Sequence, residues 1–394
     1  MEGILQDDLL NLSGQPEGQL EHLRTTPGAG FIRSCRYKLK PEQQLDHKRL
    51  IQIFKKHNIR YFFYNGGGDS MNTCDIVAVE AVEAGLSDFI ATGVPKTVDN
   101  DLCDKAFEKL FYCPGYGSLA RSVAMDIHFL NQENKGIRAW FPVSVYGVMG
   151  REAGFPAAAA QFAQEVNEEE IPLQIYVSGG GLTIDAIPDL VNDQLKKTKR
   201  VILVVGEAFV KGLKVPKDQF GNPMYTTLEQ IAAQKVVRLL NKTLFKTGKA
   251  HARGYAHADV PNTFQRHNAL CISPVDWEDA YQVGRKAVKI ALEGENGYMS
   301  TIKNITDDEL RYGKELIADM KGNKTAVPQS WYEKNRVSFN QQLIGYLSAI
   351  IGHKSVDLPL GNFGFPKFAT ADTRAEMWAS PRSEKRFVPE KYKD

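Results

Sequence analysis

The sequence predicts an α/β fold of two lobes built on mainly parallel sheets. Three observations carry this reading. Short apolar runs, rich in β-branched and aromatic residues, recur from residue 60 onward. Each stops at glycine, and helical patterns follow them, as parallel strands with crossover helices require. A length of 394 residues is enough for two or three domains, or for two large lobes.

The runs come in order. Tyr61–Tyr64 ends in Asn65-Gly66-Gly67-Gly68, and a further strand is expected before the loop that opens at Thr92. Ala139–Met149 ends in Gly150, Leu173–Val177 in Ser178-Gly179-Gly180-Gly181, and Val201–Val205 in Gly206-Glu207. Helical patterns cover Ser118–Leu130, Ala157–Val166, Thr227–Phe245 and Asp276–Leu292, with Ser118 and Asp276 as expected N-caps. Residues 303–335 read as polar turns, and Thr370–Asp394 as a charged surface tail. The first 45 residues show no strand feeding a glycine loop.

Composition narrows the function. Lys plus Arg is 49 against 47 acids, a net charge of +2, which argues against a bulk nucleic-acid binder. No apolar run reaches the ~20 residues of a membrane span, and the acidic N-terminus does not resemble a signal peptide. The five cysteines are scattered, with no C-x-x-C pair. That spacing favours free thiols in a reducing compartment, so a cytoplasmic location is expected.

Chemistry concentrates at strand ends, where open parallel sheets place their sites. Gly66-Gly67-Gly68-Asp69-Ser70 closes a strand and opens a helix, so its N–H groups can meet a phosphate, although three glycines are equally a plain βα turn. Thr92–Asp101 sets Lys96, Thr97, Asp99 and Asp101 in one proline-stiffened loop. Lysine can neutralise a transferring phosphoryl group while a carboxylate takes a proton, and a solvated loop is the bland alternative. Gly115-Tyr116-Gly117-Ser118-Leu119-Ala120 fits a dinucleotide fingerprint, but the charged Asp99–Lys109 before it reads better as a helix-capping turn. Met149-Gly150-Arg151, Glu207 and Gln265-Arg266 are ordinary surface polar groups singly. Together at successive strand ends they suit a sugar phosphate.

These motifs resemble the phosphofructokinase family, in particular its pyrophosphate-dependent branch, over residues 3 to about 352. The resemblance rests on Gly66–Ser70, Pro95–Asp101, Pro114–Ser118, Met149–Arg151, Glu207, Gln265-Arg266 and Val275–Gly284. It implies two Rossmann-like lobes, one for the donor (1–134 plus 265–310) and one for fructose 6-phosphate (135–264 plus 311–369), with the active site between them. It implies phosphoryl transfer from pyrophosphate to the 1-hydroxyl of fructose 6-phosphate, in a homodimer or homotetramer. Asp99 would be the base, Lys96 the charge stabiliser and Asp69 the gate that repels ATP. Gly66, Gly67, Gly68 and Ser70 would hold the donor. Thr97, Val98, Met149, Gly150, Arg151, Glu207, Thr263 and Arg266 would hold the sugar phosphate.

The chain departs from the family pattern at several points. The opening strand with its Ser-Gly-Gly loop has no counterpart in the first 45 residues. The family's metal ligand falls on Gly68, leaving Asp101 as the acid nominated for Mg2+. Family arginines fall on Pro142 and His257, and a His or Tyr falls on Thr263. The rival expectation is therefore a non-catalytic member that binds sugar phosphates or other subunits. A nicotinamide enzyme is a third.

Overall fold

The computed structural model describes residues 1–24, 34–35, 37–166, 170–213, 228–305 and 311–352. The tail expected at Thr370–Asp394 lies outside these residues. From the N-terminus, helix α1 (Gln44–Lys56) leads to strand β1 (Tyr61–Gly66), helix α2 (Gly68–Glu83) and strand β2 (Ile90–Pro95). Helix α3 (Tyr116–Ile137) and strand β3 (Val143–Val148) follow, then β4 (Leu173–Tyr176), α4 (Ile187–Thr198) and β5 (Val201–Gly206). Beyond them come α5 (Leu228–Leu240), β6 (Ala256–Asp259), α6 (Pro274–Leu292), β7 (Tyr298–Ile302), β8 (Tyr312–Leu316) and α7 (Gln341–Ile351).

The chain divides into two compact units. The first comprises Met1–Pro95 and Tyr281–Asn323, the second Lys96–Ala280 and the described residues from Lys324 onward. These bounds differ from the lobes expected at 1–134 and 135–264. Helix α3 belongs to the second unit because it packs on the turn Ala159–Val166 and on α7.

In the first unit the sheet order is β1-β2-β7-β8, with β8 the antiparallel member. Strand β2 is buried along its whole length, whereas β1 alternates, leaving Tyr61 and Phe63 exposed. Its inward side chain Phe62 packs with Phe54 and Phe89, ring centroids 5.6 and 6.3 Å away. The second unit holds the parallel sheet β4-β5-β3-β6. Val143, Val145, Leu203 and Val205 fill its core against Val191, Leu195, Ala232 and Val236. Helices on a parallel sheet bury such β-branched runs, which is why β3 and β5 contain no charge.

Several local expectations need correction. Thr92–Pro95 is strand, not loop, because it pairs with β1. Strands β6, β7 and β8 carry no strong signal. β6 is only four residues long, and β8 is a half-exposed edge within the stretch read as polar turns. Ala157–Val166 is α-helical only to Ala158 and then tightens to 3₁₀. Helix α5 ends at Leu240 and continues as a wider turn to Phe245, while Thr227 lies outside the described residues. Neither Ser118 nor Asp276 is an N-cap. Helix α3 starts from Gly115 at φ +99°, so Ser118 lies inside its first turn. Ser273 precedes α6 and accepts from Asp276 N through Oγ at 3.2 Å. The Asp276 carboxylate instead takes Gly115 N and Ser118 N, each at 2.8 Å, and so closes the start of α3 from another helix.

Candidate active site

In the second unit the loop Lys96–Asp101 folds back on the turn Cys113–Gly115. Thr97 N donates to Pro114 O at 3.2 Å, and Asp99 N to Thr97 Oγ1 at 3.1 Å. Buried Asn100 fixes the loop. It adopts φ +59°, donates to Tyr346 Oη at 2.7 Å and accepts from Cys113 N at 2.8 Å. A non-glycine residue holds this conformation only when its surroundings impose it. The anchored Asn100 thereby sets the positions of Asp99 and Asp101.

The end of β3 is shaped with equal care. Gly150 has φ +120°, and a Cβ there would stand 2.5 Å from Pro156 Cγ, so only glycine fits. Buried Glu207 extends β5 beside it and accepts Gly150 N at 3.2 Å and Arg151 N at 2.5 Å through Oε1. Arg151, itself at φ +48°, then reaches Asp99, with Nε 3.4 Å from Oδ2. Gln265 ties the turn Asn262–Arg266 to the same strand end, accepting from Met149 N and donating to Gly147 O, both at 3.3 Å.

Electrostatics joins these residues into one cluster. Burial raises the Asp99 carboxyl above its ordinary value, while Arg151, Lys96 and Arg266 oppose the rise. Desolvation lowers Lys96, exposed though it is, and Arg266 and Arg151 push the same way against Asp99 and Asp101. Glu207 is pushed up to about 7, first by burial and then by the charges of Glu229 and Asp99. Lys96, Asp99, Asp101, Arg151, Glu207 and Arg266 thus share one field. Thr97, Val98 and Thr263 are half-buried on the same segments, and Met149 is buried.

In the first unit the glycine loop caps α2. Gly67 is its extended N-cap, and its carbonyl accepts Ser70 N and Met71 N at 2.9 and 3.0 Å. The backbone carrying Gly68 and Asp69 therefore starts the helix, where the dipole favours anions. A side chain on Gly66 would collide with Ser70, so glycine is required there. Gly68 is different, since a Cβ would meet only Asn323 O, at 3.9 Å. Asp69 is paired with Lys38 at 2.7 Å, both side chains more than half exposed.

Among the described residues no group of three or more His, Cys, Asp or Glu side chains could hold a metal ion. Gly68 offers no ligand atom, and Asp101 is the acid of the loop beside Asp99.

A family model, Phosphofructokinase, matches residues 1–289. The chain belongs to the phosphofructokinase family. Its relatives include a pyrophosphate–fructose 6-phosphate 1-phosphotransferase of Halomonas elongata, 32 % identical, spanning 93 % of this chain and 85 % of the relative. A sulfofructose kinase of Alkalicoccus urumqiensis is 25 % identical over 88 % of this chain and 86 % of its own. The crystal structure of a pyrophosphate-dependent phosphofructokinase from Nitrosospira multiformis matches with TM-score 0.76 and 30 % identity, covering 93 % of this chain and 84 % of that one. This phosphofructokinase-family chain has mainly parallel sheets, as that fold requires.

Sequence reasoning missed four contributors to these sites. Asn100 lay inside the motif without a role, and Gln265 was noted only as the neighbour of Arg266. Lys38 lies 31 residues before its partner, in a stretch with no periodic signal. Glu229 falls within the helical pattern Thr227–Phe245 and belongs to none of the motifs.

Proposed function

We propose that this chain transfers a phosphoryl group from pyrophosphate to the 1-hydroxyl of fructose 6-phosphate, giving fructose 1,6-bisphosphate and phosphate. The observation that carries this reading is the cluster of Asp99, Lys96, Arg151, Glu207 and Arg266 in the second unit. Asp99 accepts the hydroxyl proton as the oxygen attacks phosphorus, and burial raises its basicity towards that task. Arg151 holds the Asp99 carboxylate in place. Lys96 offsets negative charge on the moving phosphoryl group. Arg266 and Thr263 take the sugar's own phosphate, while Glu207, Met149 and Gly150 shape the pocket for its hydroxyls. Thr97 and Val98 line the reacting end.

On the donor side, Gly66, Gly67, Gly68 and Ser70 offer backbone N–H groups to pyrophosphate, and Asp69 opposes the longer phosphate chain of ATP. Its pairing with Lys38 is a solvent-exposed bridge, which is weak and leaves Asp69 able to discriminate. Mg2+ commonly keeps one or two carboxylates and takes its other oxygens from phosphates and water, so Asp101 suffices as its protein ligand, and the ion would neutralise pyrophosphate charge. The protein works as a homodimer or homotetramer in the cytoplasm, a compartment that suits five scattered cysteines with no C-x-x-C pair.

Gly68 favours a second reading, a non-catalytic sugar-phosphate-binding protein, because it lacks the side chain of a metal ligand. The purified protein, fructose 6-phosphate and Mg2+ are incubated with pyrophosphate or with ATP, and the bisphosphate is followed by phosphorus NMR. Turnover with pyrophosphate alone supports the first reading. Binding without turnover supports the second, and a preference for ATP overturns the role of Asp69.

A further inference from the structure

Two of the five cysteines meet behind the loop that carries Asp99. Cys103 Sγ and Cys113 Sγ stand 3.9 Å apart, and neither residue has exposed surface. Both touch one atom of Asn100, whose Oδ1 accepts Cys113 N at 2.8 Å and lies 3.5 Å from Cys103 Sγ. The chain between the two cysteines forms turns and bends but no helix or strand, and its Lys105, Ala106 and Glu108 are exposed. Four of its N–H groups, those of Ala106, Glu108, Lys109 and Leu110, bond the Asp104 carboxylate rather than a ladder. This segment can therefore open without breaking either sheet, which gives a small oxidant a way to thiols that packing covers.

We propose that Cys103 and Cys113 form a modification site, where hydrogen peroxide joins the two sulfurs in a disulfide that displaces Asn100 and with it Asp99. Peroxide oxidises one thiol to a sulfenic acid and releases water. The sulfur of the other thiol then displaces the sulfenic hydroxyl, forming the S–S bond and releasing a second water. Contact between the sulfurs favours this partner over any thiol that must diffuse in. Burial pushes the Cys103 thiol well up, so the link forms slowly and needs excess peroxide. A disulfide holds its sulfurs about 2.0 Å apart, so the pair must close by roughly 1.9 Å. That movement falls on the contacts of Asn100 Oδ1 with both residues. The linkage and the movement stand on geometry, whereas their effect on turnover rests on the reading of Asp99 as the base.

For the test, the reduced protein is treated with excess hydrogen peroxide, its remaining thiols are alkylated, and its peptides are analysed by mass spectrometry. A peptide joining Cys103 to Cys113, and released by dithiothreitol, is expected. Hydrogen exchange at the Cys113 amide should quicken, and pyrophosphate-dependent turnover should fall about 10²-fold, the cost of a misplaced reacting group. Cys103→Ala should keep its own turnover through the same treatment. No such link, when the exposed Cys35 has been oxidised, overturns the inference. A link that leaves exchange unchanged overturns it, as does one that leaves an active protein's turnover unchanged. A loss of turnover that Cys103→Ala shares also overturns it, because another cysteine is then responsible. A link that quickens exchange in a protein with no turnover even when reduced upholds the inference and overturns the reading of function instead. Should Cys103→Ala fail to fold, Cys113→Ser takes its place, and the mass and exchange measurements need only the wild type.

Discussion

Asp99 and Glu207 show how burial sets chemistry one side chain at a time. Both carboxyls are raised chiefly by desolvation, but Asp99 is restrained by three cations while Glu207 has acidic neighbours. If Asp99 takes the proton, Asp99→Asn should lower kcat by roughly 10²–10⁴-fold with little change in KM for fructose 6-phosphate. A kcat within threefold of the wild type, roughly the scatter of such effects, would dismiss Asp99 as the base. Glu207 makes a prediction about stability. Its folded carboxyl titrates near 7 against an ordinary 4.5, so the folded state holds that proton more tightly. Its contribution is fully present below about 4.5 and is lost as pH rises towards 7, a loss of about 3 kcal/mol. Urea unfolding across this range should show a decline in the wild type that is smaller in Glu207→Gln. Equal slopes in the two proteins would contradict the argument. At this scale the candidate residues were legible because they stand together in short motifs. Distant neighbours such as Glu229 and Lys38 were not, because only folding brings separate segments together.

Helix α3 starts at a left-handed glycine and owes its first turn to a carboxylate on α6 rather than to a residue of its own. Asp276 accepts from Gly115 N, Ser118 N and Ser118 Oγ in a buried setting. Asp276→Ala should therefore destabilise the protein by about 3 kcal/mol, since three half-buried donors lose their acceptor. Denaturant melts measure this, and a change below about 1 kcal/mol would mean that water replaces the carboxylate. The same contact explains why the caps were misread. Local sequence offered Ser118 and Asp276 as N-caps, and both residues do serve helix starts, but through each other. Strands β1, β3, β4 and β5 were legible because apolar runs stop at glycine. Strands β6 and β8 were not, because edges and short strands need no continuous apolar run.

For the molecule as a whole, each unit carries its own sheet, and each sheet ends in a site of different character. The second unit gathers buried acids with cations, and the first presents a glycine-capped helix start. A net charge of +2 leaves bulk electrostatics weak, so recognition falls to these local groups. The proposed assembly predicts sedimentation at two or four times 44.0 kDa. A monomer at micromolar concentration would refute it.

Open space at Gly68 has a meaning for descent. Gly66 and Gly150 are locked, because any larger residue collides with fixed neighbours. No such lock guards Gly68, where a new Cβ would meet its nearest atom only at 3.9 Å. Glycine and aspartate codons differ by one base. A single nucleotide change could therefore place a carboxylate at the start of α2 with no repacking around it, and sterically the step is as easily taken back as it is made.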